Sequence, residues 1–151
     1  MEYRIATKQD MDLLMSSRLE MLRVVNDLSD DYIYSEELVR ESRAYFENGN
    51  QTTVLAIEEG EVIGCATICY LYMMPTFSHP TGRRAHLMNV YTRSTYRRQG
   101  IAKKMMEILL AEAWNRGVTE ISLDATESGR PLYESFGFQD SGECMVLTNT
   151  V

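Results

Sequence analysis

Arg93, Arg97, Arg98, Lys103 and Lys104 fall within twelve residues that contain no acidic group, and Gly100 lies among them. A helical pattern begins immediately after this glycine, so the cations surround a helix start. The first turn of a helix has unpaired backbone N–H groups and the positive end of the helix dipole. Together these favour a phosphate or pyrophosphate. Gly100 admits unusual backbone dihedrals and lets an anion approach without meeting a Cβ. Ala102 keeps the next approach small, while Arg97, Arg98 and Lys103 add charge. Neither GxxxxGK[ST] nor GxGxxG occurs, so the segment is neither a P-loop nor a dinucleotide-binding turn. Taken by itself, RxxGxA is short enough to arise by chance, and a capped helix with solvated arginines is the plainer account of it.

A second group of chemically capable residues lies in the acidic connector from Asn26 to Glu37. It holds Asp27, Asp30, Asp31, Tyr32, Tyr34 and Glu36. Carboxylates beside aromatic rings suit a cationic amine, through charge pairing and cation–π contact. Any one of these acids is equally well a solvated loop residue. The odd set of cysteines (Cys65, Cys69 and Cys144) makes a poor disulfide framework, and His79 and His86 add no metal-ligand spacing. No metal site is expected.

These residues must be positioned by a small number of elements. Residues 2–6 read as a strand. Thr7 is placed to cap a helix, with Asp10 in a capping-box relation, and the apolar period runs to about Asn26. Ser35 can cap a second helix that stops at "NGN". From Thr52 the period changes to two, giving a strand, a Glu-Gly turn and a second strand to Met74. "PTFSHPTGRR" breaks the pattern as a loop, and "AHLMNVYT" is another strand. The helix from Ile101 shows an apolar stripe of Ala102, Met105, Met106, Leu109 and Ala113, with Gly117 at its C-cap. "EISLDA" is a strand, "GRPLYESFGF" a short helix, and "ECMVLT" a closing strand. Met73, Met74 and Phe77 either line a pocket or belong to core and a dimer surface. The expectation is one α+β domain over residues 1–151, with a largely antiparallel sheet flanked by helices.

The bulk properties exclude other classes. A net charge of −7 argues against a nucleic-acid footprint over the whole surface, and without the five clustered cations the remainder carries −12. No apolar run approaches a membrane span, and Met1–Asp10 lacks the layout of a signal peptide, so a cytosolic chain without membrane contact is expected.

The order strand, Arg97-Arg98-Gln99-Gly100-Ile101-Ala102, long helix resembles the acyl-CoA-binding segment of the GNAT superfamily of N-acetyltransferases. Its pattern [QR]-x-x-G-x-[GA] is met by Arg97, Gly100 and Ala102. "ATESGRPLYESFGF" is similar to a second family segment, a short Leu-Tyr helix followed by Gly-Phe. The order of elements agrees from Met1 to Leu147.

The resemblance implies acetyl-CoA as co-substrate and an amine as acceptor. Backbone amides from Arg98 to Lys103 would hold the pyrophosphate. Val90 and Tyr91 would hold the pantetheine arm and the acetyl carbonyl through their backbones, beside a bulge that splays this strand from "EISLDA". Tyr133 stands where the family has its general acid: a hydroxyl of pKa ~10 can protonate a departing thiolate of comparable basicity. Thr126 stands where many members have an asparagine that touches the pantetheine. No motif identifies the base that deprotonates the amine; Asp124, Glu127, Glu36, His86 and a water relay stay open. The acidic connector falls where the family shapes its acceptor pocket, which makes a cationic acceptor plausible. A non-catalytic acyl-CoA sensor of the same fold is the alternative reading, and a small nucleic-acid-binding domain a weaker one.

Overall fold

The computed structural model describes residues 1–150. Its strands are β1 (Glu2–Ile5), β2 (Gln51–Glu58), β3 (Glu61–Tyr72), β4 (Arg83–Thr92) and β5 (Glu120–Leu123). The helices are α1 (Met11–Val25), α2 (Glu36–Asn48), α3 (Ile101–Asn115) and α4 (Arg130–Ser135). The five strands form one sheet in the order β1-β2-β3-β4-β5. All neighbours are antiparallel except β4 and β5, which run parallel because α3 crosses over between them. The α+β architecture expected from the pattern is the one observed.

Two apolar clusters sandwich the sheet. On one face Met105, Met106, Leu109 and Ala113 of α3 are fully buried against Val54, Ala56, Ala66 and Ile68. On the other, Met11, Leu14, Met15 and Met21 of α1 and Phe46 of α2 cover Leu55, Ile57 and Cys65. Alternation along β2 and β3 sends neighbouring side chains to opposite clusters. The Thr7–Asp10 capping box forms, Thr7 accepting from Gln9 and Asp10 Oδ2 accepting from the Thr7 amide at 2.9 Å. It opens on a single 3-10 turn before α1. Ser35 caps α2 by accepting from Leu38 N at 3.1 Å.

Three expectations need correction. The segment "ECMVLT" is not a strand, and Met145, Val146 and Leu147 are 94%, 84% and 99% exposed. Its apolar residues have strand propensity, but no strand lies alongside to complete a ladder, and propensity without a partner does not make a strand. Arg83 and Arg84 belong to β4 rather than to the loop, because they pair with Tyr72 and Leu71. Phe77 and Met74 are solvent-exposed and so belong to no core.

Candidate active site

Two irregularities in β4 create the site. Between Met88 and Tyr91 the ladder with β3 shifts register, so that Asn89 and Val90 together oppose Ala66. Asn89 takes φ 61°, a left-handed conformation that asparagine tolerates better than most residues. On the opposite edge, β4–β5 pairing ends at Leu87 and Leu123. The bulge and the end of pairing leave the backbone of residues 88–92 unpaired towards β5. Parallel strands linked by a crossover helix bind ligands beyond their C-terminal ends, and this opening lies there.

The start of α3 stands at the mouth of the opening. Arg98 has φ 64° and Gly100 φ 78°. Left-handed residues so close in sequence turn successive N–H groups inward into an anion-binding concavity. None of the amides of residues 98–103 has an acceptor among the described residues. A Cβ on Gly100 would meet no atom within 4 Å. That side of the loop is open to an approaching group. Ile101 is buried, so only its backbone can serve the loop, whereas Arg98, Gln99 and Lys103 are exposed. Arg97 Nε donates to Thr92 O at 3.2 Å. Arg93 is not part of this free charge: it forms two hydrogen bonds to Glu20 at 2.9 and 3.0 Å and an ion pair to Glu61 at 2.9 Å.

On the β5 side, Tyr133 sits on α4, half-buried and edge-on to Phe138 with ring centroids 6.1 Å apart. Burial raises its hydroxyl above the ordinary tyrosine value, keeping it protonated and able to donate. A Cβ on Gly129 would come within 2.9 Å of the Tyr133 ring, so that position needs glycine for close approach. Thr126 Oγ1 accepts from Gly129 N at 3.2 Å, fixing the turn that leads into α4.

A cavity of about 360 Å³ lies on the other face of the sheet, between α1, α2, β3 and β4. Arg18, Glu41, Tyr45, Phe46, Cys69 and Asn89 are among the residues that line it. A hydrogen-bonded chain runs beneath it. Arg18 Nη1 donates to Asn89 Oδ1 at 3.1 Å, and Asn89 Nδ2 donates to Thr67 Oγ1 at 3.1 Å. The Thr67 and Thr53 hydroxyls lie 2.7 Å apart, and Thr53 donates to Gln51 at 2.7 Å. Because Asn89 and Gln51 fix the two ends, Thr67 must donate to Thr53. Burial lowers the Arg18 pKa, opposed by the neighbouring Cys65 and Cys69. Burial also pushes the Cys65 thiol up to about 12. Tyr91 is pushed up to about 12 by burial and by the Glu20 carboxylate. Val90 turns its side chain to the α3 cluster and Tyr91 to the α1 cluster.

Of the candidate bases, Asp124 faces His86 Nε2 at 3.6 Å, and His86 Nδ1 lies 2.6 Å from Ser122 Oγ. Glu36 and Glu127 are exposed, and none of these residues lines the cavity. The acidic connector does not line it either. Asp30 is paired with Arg23 at 2.9 Å, and the Tyr34 hydroxyl donates to Leu19 O. Arg18, Glu41 and Asn89 are residues that sequence reasoning missed. Arg18 stands among the polar residues Ser16, Ser17 and Glu20 of α1 and carries no distinguishing local signal, and neither does Asn89 in a strand.

The chain matches the model of the acetyltransferase (GNAT) family over residues 20–138. A predicted acetyltransferase from Clostridium acetobutylicum, crystallised with acetyl-CoA, is 33% identical with a TM-score of 0.84, covering 97% of this chain and 95% of that one. An aminoglycoside acetyltransferase from an uncultured soil metagenomic sample, in complex with sisomicin, shares the fold at 14% identity and a TM-score of 0.77, covering 99% of this chain and 95% of that one. The uncharacterized N-acetyltransferase YsnE of Bacillus subtilis is 31% identical over 97 residues, 60% of this chain and 58% of that protein. The chain thus aligns with little more than half the length of this curated relative. The extent of the family match and the near-complete superposition on a 33%-identical structure settle the assignment: the chain belongs to the acetyltransferase (GNAT) family.

Proposed function

We propose that this chain transfers acetyl from acetyl-CoA to the primary amine of a small molecule or peptide, by direct attack in a ternary complex. The observation that carries this reading is the cleft between β4 and β5, with the unpartnered amides of residues 98–103 at its mouth. Those amides, with Arg97, Arg98 and Lys103 around them, hold the pyrophosphate, and the side chains of Gln99, Ile101 and Ala102 leave the approach clear. The backbones of Val90 and Tyr91 hold the pantetheine and the thioester carbonyl, and an N–H there stabilises the oxyanion as the amine attacks. The hydroxyl of Thr126 lies along the pantetheine path.

The bond formed is N–C and the bond broken is C–S. The amine must first lose its ammonium proton to a base or to water; the departing thiolate takes its proton from Tyr133, and the second proton released by the acylated nitrogen restores the Tyr133 hydroxyl through water. A cationic acceptor, expected from the acidic connector, would meet those carboxylates outside the 360 Å³ cavity, which they do not line. Residues 1–151 act as one domain, and the free thiols of Cys65, Cys69 and Cys144 fit a reducing compartment such as the cytosol.

Tyr133→Phe tests the reading. Turnover measured by thiol release should fall roughly 10²–10⁴-fold while acetyl-CoA affinity stays unchanged. Unchanged turnover would remove Tyr133 from the role of acid, whereas acetyl-CoA binding with no amine turned over by wild type favours a non-catalytic acyl-CoA sensor instead.

A further inference from the structure

Six arginines are half-buried: Arg4, Arg18, Arg23, Arg84, Arg93 and Arg130. Five have a carboxylate within 4.0 Å: Arg4 with Asp10, Arg23 with Asp30, Arg84 with Glu120, Arg93 with Glu20, and Arg130 with Asp140. Arg18 has none among the described residues. A guanidinium offers five N–H donors, and Arg18 commits only Nη1, to Asn89. A charge withdrawn from water is stabilised when an anion meets it. The guanidinium lines the 360 Å³ cavity. It is bonded to Asn89, the residue next to Val90, whose backbone is assigned above to the thioester.

We propose that the acceptor is a small primary amine that also carries a carboxylate, an amino-acid-like molecule, and that Arg18 binds this carboxylate. This inference rests on the acetyl-transfer reading. Arg18 supplies the paired, fork-shaped donors that a carboxylate accepts. Because Arg18 is tied to the bulge, a carboxylate on it places a nearby amine beside the thioester. Glu41, whose carboxylate also lies 3.7 Å from Arg40 Nε, lines the cavity as well, so its walls hold both signs of charge, as suits a zwitterion. Tyr45, Phe46 and Met88 supply apolar wall for the rest of the molecule.

The competing account is that Arg18 merely props Asn89 in its left-handed conformation. The two differ in selectivity. The full chain, wild type and Arg18→Met, is assayed by thiol release from acetyl-CoA against each common α-amino acid and its carboxamide. Acetyl-CoA affinity is measured alongside by calorimetry. For at least one pair, the acid should exceed its amide in kcat/KM by about tenfold to a hundredfold, the range expected for a charged hydrogen bond. In Arg18→Met that ratio should collapse towards one with acetyl-CoA affinity unchanged. Amides used as well as acids, no pair turned over, or a ratio that survives the substitution each overturn the inference. Should Arg18→Met fail to fold, the wild-type ratio and Arg18→Gln decide it in the same way. Failure of wild type to bind acetyl-CoA overturns the transfer reading itself, which keeps the two failures apart.

Discussion

The loop before α3 and the cavity beneath α2 are built on opposite principles. The loop is a contiguous stretch, exposed, whose donors are backbone amides aimed by two left-handed residues. The cavity is assembled from four elements, and its polar groups are side chains linked in a chain from Arg18 to Gln51. Backbone donors cannot be deleted by side-chain substitution, so the loop suits a phosphate ligand shared by every reaction the fold performs. Side chains can be exchanged one at a time, so on the proposed reading the cavity is where a particular acceptor would be chosen. Asn89 joins the two regions, since it forms the bulge that opens β4 and also accepts from Arg18.

The largest effect on this division should come from breaking the junction. Asn89→Ala removes two side-chain hydrogen bonds and forces a β-carbon residue less tolerant of φ 61°; we expect a loss of about 2–4 kcal/mol in chemical denaturation. Asn89→Gly keeps the left-handed backbone and should cost about 1 kcal/mol less. Equal losses in both would mean that backbone conformation is not what Asn89 supplies.

A smaller effect is expected at the loop. Arg98 is exposed with φ 64°, so Arg98→Gly should leave melting temperature unchanged or slightly raised, as relief of strain offsets the freer unfolded chain. The lost charge should weaken acetyl-CoA binding by about 2–5-fold, and by less at high salt. A loss that does not vary with salt would point to loop geometry instead of charge.

The same contrast explains what could be read in the sequence. The helix start at Gly100 was legible because glycine, cations and the apolar stripe of α3 are adjacent along the chain. The sheet and helices followed from periods of two and 3.6, and the Thr7 and Ser35 caps from local chemistry. The bulge was expected only by resemblance, because nothing in "HLMNVYT" marks Asn89 as left-handed until Thr67 and Arg18 fold against it. Arg18 and Glu41 are 23 positions apart on different helices, so no spacing rule unites them. "ECMVLT" failed as a strand for the converse reason: local propensity was present and the tertiary partner was not. Arg93, counted with the free cations, is taken up by Glu20, 73 residues away.

The most direct test of the central claim is calorimetric titration of acetyl-CoA into wild type and Gly100→Glu. The substituted Cβ meets no atom within 4 Å, so the loss should come from the φ of 78° and from a carboxylate set against the pyrophosphate amides. The account predicts saturable binding by wild type, with Kd on the order of micromolar to tens of micromolar, weakened at least about a hundredfold in a folded Gly100→Glu. Equal affinity in the two proteins, or no binding by folded wild type, would contradict it.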